Sequence, residues 1–323
     1  MNYLDVHSHF LSRDSVSEMN GTIKEIPGSK LFSIEAYGKK IMPMPLGFFD
    51  VEARLREMGA IGIDSQVISP THHLFLYDEK AETASRSASI QNNGIAEACK
   101  KAGSSFLGNG TLPLQDRKMA LSELERIHSK MEMNGIEIGT NIAGKNLDDD
   151  SLHPVYEKAQ ELEMPIFVHP NDFLGGERLS KFYMGIVVGT VAETTVAITS
   201  LLLGGVLKKF PRLKFIFCHG GGAMPFQIGR IKHATEVREE VRGREPFNDE
   251  NLKQIFFDTV LFDGNSMEFM IKQWGESNVV LGTDYPFNMG NWTSHRDVEM
   301  LDDLSQKTKE MILKGNAKKL YKI

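Results

Sequence analysis

Along the chain, short apolar or β-branched runs alternate with longer stretches of helical period. The pattern predicts strands near 2–7, 63–69, 105–112, 136–141, 165–169, 213–219, 255–259 and 278–284. Between them it predicts helices, among them 116–133, 152–163, 190–210, 224–240 and 266–275. PIFV, LKFIFC and NVVLG are near-continuous apolar runs, as expected of parallel strands buried on both faces. Eight strands, each followed by a helix, predict an α/β fold: a closed (β/α)8 TIM barrel occupying 1–323 as one domain. Residues 10–50 break the rhythm. They are rich in Gly, Pro, Met and charges and show little periodicity, which reads as an insertion after the first strand that covers the barrel mouth.

Bulk properties narrow the function classes. A chain of 323 residues is ample for a sizeable core. The net charge of −6, with no basic run, argues against nucleic-acid binding. Cys99 and Cys218 form no CxxC pair and imply no disulfide framework, so a reducing, cytoplasmic location is expected. MNYLDVHSHF enters a strand without the pattern of a signal peptide. The apolar stretch around Val196 to Val206 is interrupted by Thr and Ser and is too short to span a bilayer. The expected partner is therefore a small molecule, with neither nucleic acid nor membrane involved.

The chemistry sits at the strand ends. His7 and His9 are two apart at the end of the first strand, so both imidazoles can face the barrel mouth. Taken alone, such a pair is often a solvated strand end. His169 ends PIFVHP, His219 ends LKFIFCHGGG and Asp284 ends NVVLGTDYPF. Any one of these reads equally as a cap or a hydrogen-bonded core residue. Four strand tips carrying the same pattern point instead to a shared site, because barrel active sites are built from those tips. Three imidazoles (His7, His9, His169) and the carboxylate of Asp284 suit one divalent metal. Zn²⁺ fits best, and Mn²⁺, Fe²⁺ or Co²⁺ also fit. His219 is then better used as a general acid/base than as a fifth ligand. Cys218, preceding it on the strand, is expected to point the other way, into packing.

The order HSH, VHP, CHGGG and GTDYP resembles the amidohydrolase superfamily, in particular its nonhydrolytic decarboxylases of the aminocarboxymuconate semialdehyde type. Further stretches carry the likeness, among them VHPNDFLGGER, HGGGAMPFQIGR and the closing GNAKKLY. The resemblance implies a mononuclear site ligated by His7, His9, His169 and Asp284, with His219 as acid/base, and a homodimer. It also implies that Arg230 binds a substrate carboxylate, with Arg178 and Phe182 near the substrate; each of these three reads as well as an ordinary surface or core residue. His72 and His73, after the second strand, are placed to line the pocket. The strand GIEIG lacks the lysine of binuclear relatives, and Lys145 beyond it is a poor substitute. One departure bears on the substrate: GKKIMPMPLGFFD has no arginine where such decarboxylases carry one, leaving Lys39 or Lys40 as point charges. Its Met and Phe side chains are candidates for an apolar lid.

The expected activity is metal-dependent, nonoxidative decarboxylation of a small unsaturated or aromatic carboxylate. Hydrolysis or hydration on the same site is the alternative, because this fold changes chemistry through its loops. A noncatalytic metal-binding protein is the third reading.

Overall fold

The computed structural model describes residues 3–241 and 249–323. The chain opens with β1 (Leu4–His9). A short helix (Arg13–Glu18) and an antiparallel sheet of β2 (Thr22–Glu25), β3 (Leu31–Ala36) and β4 (Lys39–Pro45) follow. The chain then returns to the barrel with β5 (Ser65–Ser69), β6 (Phe106–Gly110) and β7 (Gly135–Gly139). After a small hairpin of β8 (Asn141–Ile142) and β9 (Lys145–Asn146) come β10 (Ile166–His169), β11 (Phe215–Phe217), β12 (Ile255–Asp258) and β13 (Val279–Val280). Eight of these form one parallel sheet in the order β1-β5-β6-β7-β10-β11-β12-β13. The ends of that sheet meet: Val6 donates to the carbonyl of Leu281 and His9 to that of Tyr285. This is the expected (β/α)8 barrel, with each predicted strand at its predicted place.

Two apolar layers hold it together. Outward strand residues such as Val168 and Phe217 pack against the surrounding helices, while Leu4, Val6, Phe167, Ile216 and Val280 fill the barrel floor with Leu320 and Tyr321. The floor and the site draw on opposite parities of β1. Leu4 and Val6 join the floor, yet His7 and His9 reach the mouth. The pairing of β1 with β5 shifts register between Asp5 and Ser8, and that bulge permits the change of side.

The helices end where the chemistry of their termini requires. Asp50 caps Val51–Ile61 by accepting from the backbone of Ala53, and Gly62, at φ 88°, closes it in the left-handed conformation. Gly185–Leu203 is one continuous helical run, long and apolar enough by composition to cross a membrane. It is built into the barrel wall instead: Ala197, Ile198, Leu201 and Leu202 are buried in the main core.

Residues 10–50 differ from the expectation. They are an ordered unit with a core of their own, in which Leu11, Val16, Ile34, Ile41, Met44, Phe48 and Phe49 meet Leu74, Ile90 and Phe287. The β3–β4 turn places Tyr37 and Gly38 both at positive φ, as a tight type I′ turn demands. The strands are short, mix polar and apolar residues, and in β2 and β3 bury only part of one face, so their period is faint in the sequence. Met44, Phe48 and Phe49 are spent on this small core, while the side chain of Met42 lies outside the described ones. No described residue of 10–50 lines the apolar cavity at the site, while Lys39 lines an adjoining cleft that shares His72 and His73 with it.

Candidate metal centre and active site

The barrel strands deliver a tight cluster of donors to the mouth. One donor atom from each of His7, His9, His169 and Asp284 lies within 4.8 Å of the others, and all four residues are buried. β13 stops at Val280, but the backbone N–H of Asp284 still donates to the carbonyl of His7 (2.8 Å). That bond carries Asp284 onto β1, with its own φ at 56°.

Each imidazole is oriented by its other nitrogen. Nδ1 of His9 lies 3.1 Å from the carbonyl of Pro70, and Nδ1 of His169 lies 3.0 Å from that of Pro170. A carbonyl only accepts, so both Nδ1 atoms carry hydrogen and both Nε2 atoms present a lone pair. Nδ1 of His7 donates to Asp258 Oδ2 at 2.6 Å. Nε2 of His7 and of His9 face Oδ1 of Asp284 at 3.1 and 3.3 Å, outside good hydrogen-bond geometry, and Nε2 of His169 is buried with no hydrogen-bond partner. Four buried donor atoms that converge with so little mutual satisfaction are costly unless a cation binds them.

The electrostatics agree with that reading. Burial works against protonation of His7, but the carboxylates of Asp284 and Asp258 outweigh it and raise its pKa to about 10. Burial opposes ionisation of Asp284, and the surrounding histidines nevertheless hold its pKa well below the usual carboxylate range. Burial lowers the pKa values of His9 and His169, keeping them neutral. The two carboxylates therefore favour positive charge on the His7 side of the site.

Asp258 was not singled out in the sequence. It ends the run IFFD and so bears the same signal as the other tips. It accepts from His7 through Oδ2, and through Oδ1 from the backbone N–H groups of Gly220 (2.9 Å) and Val260 (3.1 Å). Glu137, inside β7, is the other addition. It lies 3.7 Å from Nδ1 of His9 with neither carboxylate oxygen hydrogen-bonded, and burial drives its pKa far up, leaving it neutral. Lys145 sits exposed on β9.

His219 is not on a strand. β11 ends at Phe217, and His219 adopts φ 53°, turning its ring over the mouth so that Nε2 lies 3.5 Å from Asp284 Oδ2. Burial alone would lower its pKa; the hydrogen bond and charge of Asp284 raise it instead. The expectation for Cys218 holds in part. It is buried in packing, within the barrel-floor cluster at the end of β11, but it does not point away from His219: its Sγ lies 3.3 Å from Nδ1 of that ring.

The glycines after His219 are required by this turn. Gly220, Gly221 and Gly222 all have positive φ. A Cβ on Gly221 would lie 2.3 Å from the ring of Phe257, itself fully buried. Gly221→Ala is expected to cost more than about 1 kcal/mol of stability, read from the urea unfolding midpoint.

Above the donors opens an apolar cavity of about 310 Å³. His72, His169, His219 and Asp284 form its polar end; Ile186, Val187, Val191, Leu261, Phe262, Phe287 and Met289 line the remainder. His72 stacks on His169 (4.3 Å between centroids) and on His73 (4.1 Å). Burial lowers the pKa values of both His72 and His73, the latter to about 4. His72 is thus where the sequence reading placed it. Arg230, Arg178 and Phe182 are not brought to the cavity within one chain: all three are exposed, Phe182 to 88%. Arg178 lies in the turn Gly176–Leu179, and Arg230 lies on the outer side of the helix Met224–Val237. Among the described residues no lysine or arginine lines the cavity. Lys39 instead pairs with Asp78 at 3.1 Å, in an adjoining polar cleft that shares His72 and His73 with the cavity.

Comparison with known proteins gives a consistent picture. The amidohydrolase family model matches residues 4–323. A 2-amino-3-carboxymuconate-6-semialdehyde decarboxylase of Dictyostelium discoideum is 34% identical over 97% of this chain and 90% of its own length. Among solved structures, the IDCase of Metarhizium anisopliae superposes with a TM-score of 0.86 at 21% identity, covering 99% of this chain and 97% of its own. A dihydroxybenzoic acid decarboxylase from Polaromonas, solved with manganese and 2-nitroresorcinol, superposes with a TM-score of 0.81 at 22% identity, covering 100% and 97%. At those identities the structural likeness is one of fold.

Proposed function

The chain belongs to the amidohydrolase family, and from that premise we propose that it is a metal-dependent, nonoxidative decarboxylase of a small unsaturated or aromatic carboxylate. The observation that carries the reading is the cluster of four buried, converging donors, two of which (His169 and Asp284) open onto an apolar cavity beside His219. The decarboxylase activity named for the Dictyostelium relative supports it.

His7, His9, His169 and Asp284 would hold one divalent ion, with Asp258 fixing His7. Three imidazoles and a carboxylate suit Zn²⁺, and the manganese of the Polaromonas structure makes Mn²⁺ the second candidate. When bound, the ion supplies Lewis acidity toward an oxygen of the substrate. The remaining work falls to the protein. The apolar walls hold a flat, conjugated substrate and exclude bulk water. Neutral His72 offers a hydrogen bond without adding charge. His219, its pKa raised by the carboxylate of Asp284, delivers a proton to the carbon that bears the carboxylate. That carbon becomes tetrahedral, the C–CO₂ bond breaks, and its electron pair returns to restore conjugation as CO₂ leaves. The balance is one carboxylate and one proton in, one C–H product and one CO₂ out.

The working unit is proposed to be a cytoplasmic homodimer. Two free cysteines suit a reducing compartment. Exposed Phe182, Val187, Phe226 and Phe262 leave apolar surface that supports pairing, and Val187 and Phe262 also line the cavity. Arg230 lies one helical turn from Phe226, on the same helix. It keeps a role toward a substrate carboxylate only if that helix meets a cavity across such a contact.

The test is to incubate metal-loaded protein with unsaturated and aromatic carboxylates and measure released CO₂ together with product. Stoichiometric CO₂ supports the reading. Product formed by water addition without CO₂ would replace it with a hydratase or hydrolase.

A further inference from the structure

A second donor set lies directly against the first. Cys218, His219 and His169 each place a donor atom within 4.8 Å of the others. The Sγ of Cys218 lies 3.3 Å from Nδ1 of His219, and Cys218 itself is fully buried. The third donor belongs to His169, whose Nε2 is buried without a hydrogen-bond partner. The decarboxylase reading uses neither the thiol nor Nδ1 of His219.

We propose that Cys218, His219 and His169 form a second metal site, which captures a thiophilic divalent cation and holds it in a catalytically idle position. The two donor sets differ in softness. The upper set offers three imidazoles and a carboxylate, which serve hard and borderline ions alike. The lower set replaces the carboxylate with sulfur, which shifts preference toward Cd²⁺; Zn²⁺ and Co²⁺ accept either set, and Mn²⁺ takes thiolate poorly. His169 has one free nitrogen and both sets need it, so only one set is complete at a time. Binding at the lower set breaks the S–H bond of Cys218, releases its proton to solvent and forms a metal–sulfur bond; nothing is oxidised or reduced. The ring of His219 becomes a ligand and is removed from proton delivery. Thiophilic ions are therefore expected to inhibit the enzyme by drawing His169 and His219 into the lower set, which leaves the upper set one ligand short. Only this effect on turnover rests on the proposed function; the site itself rests on the geometry.

The experiment uses metal-stripped full-length protein loaded with one equivalent of Cd²⁺ or Co²⁺. Thiolate-to-metal charge-transfer absorption should appear, with one sulfur neighbour in X-ray absorption at the metal edge. Cys218→Ser and Cys218→Ala should lose the band, and Cys99→Ser, which removes the chain's other thiol, should keep it. In Mn²⁺-loaded protein, the Cd²⁺ concentration giving half-inhibition should rise at least about tenfold in Cys218→Ser, relative to that variant's own Mn²⁺ activity. Absence of the band and of a sulfur neighbour in the unmutated protein overturns the proposal, whatever the variants do. So does a band that survives in Cys218→Ala. A Cd²⁺ band in protein that fails to bind Mn²⁺ would sink the upper site and leave this one standing.

Discussion

Replacing His219 with Asn is expected to lower kcat by about 10²–10⁴-fold while the protein keeps its metal. Asn retains a polar side chain of similar reach but cannot exchange a proton near neutral pH. His219 is suited to proton delivery because three features coincide. Its ring lines the cavity, Nε2 lies 3.5 Å from Asp284 Oδ2, and its pKa is raised by that carboxylate against the effect of burial. The ring is held there by backbone: φ of 53° at His219, three glycines at positive φ behind it, and the N–H of Gly220 donating to Asp258. Turnover and metal content should be measured on the same sample. Metal lost in proportion to activity would make His219 a ligand. Turnover within about threefold of the parent would remove it from the chemistry altogether.

The barrel and the donor cluster were legible because each rests on a short-range signal. Continuous apolar runs such as PIFV and NVVLG name the buried parallel strands, and the polar residue ending each run names the mouth. Asp258 carries that same signal at the end of IFFD, so it too was legible there. The direction of Cys218 was not. Strand alternation predicts its direction relative to His219 only while both lie on the strand, and the chain leaves β11 at Phe217. The insertion sheet was faint because strands such as TIKE, with no fully buried residue, leave little alternation to read. The substrate pocket was least legible. Its walls are ordinary core-type residues, Ile186, Val187, Val191 and Leu261, which no composition or spacing distinguishes from packing. Arg230 and Phe182 lie on the outside of one chain, and sequence alone does not say which surfaces a second copy would cover.

Asp284→Ala should weaken metal binding by more than the roughly 10–100-fold typical of losing an outer-shell partner, and Asp258→Asn should fall within that range. The difference follows from position. Asp284 supplies the only carboxylate among the four inward donors, while Asp258 acts through Nδ1 of His7, which Asn can still meet with a carbonyl oxygen. Thermal unfolding reads the same difference independently of turnover. A ligand that binds only the folded chain adds about 4 kcal/mol at a thousand times its Kd, so the melting midpoint of the unmutated protein should climb with metal concentration and drop on chelation. In Asp284→Ala the midpoint should be nearly flat over the same concentrations. The chelated forms of the two proteins should then differ little, because without an ion the carboxylate of Asp284 is desolvated among imidazoles and is offset mainly by the proton it helps His7 to hold. An Asp284→Ala variant that bound one ion with unchanged affinity, and melted with the same metal dependence, would mean that the converging strand tips do not form the metal centre.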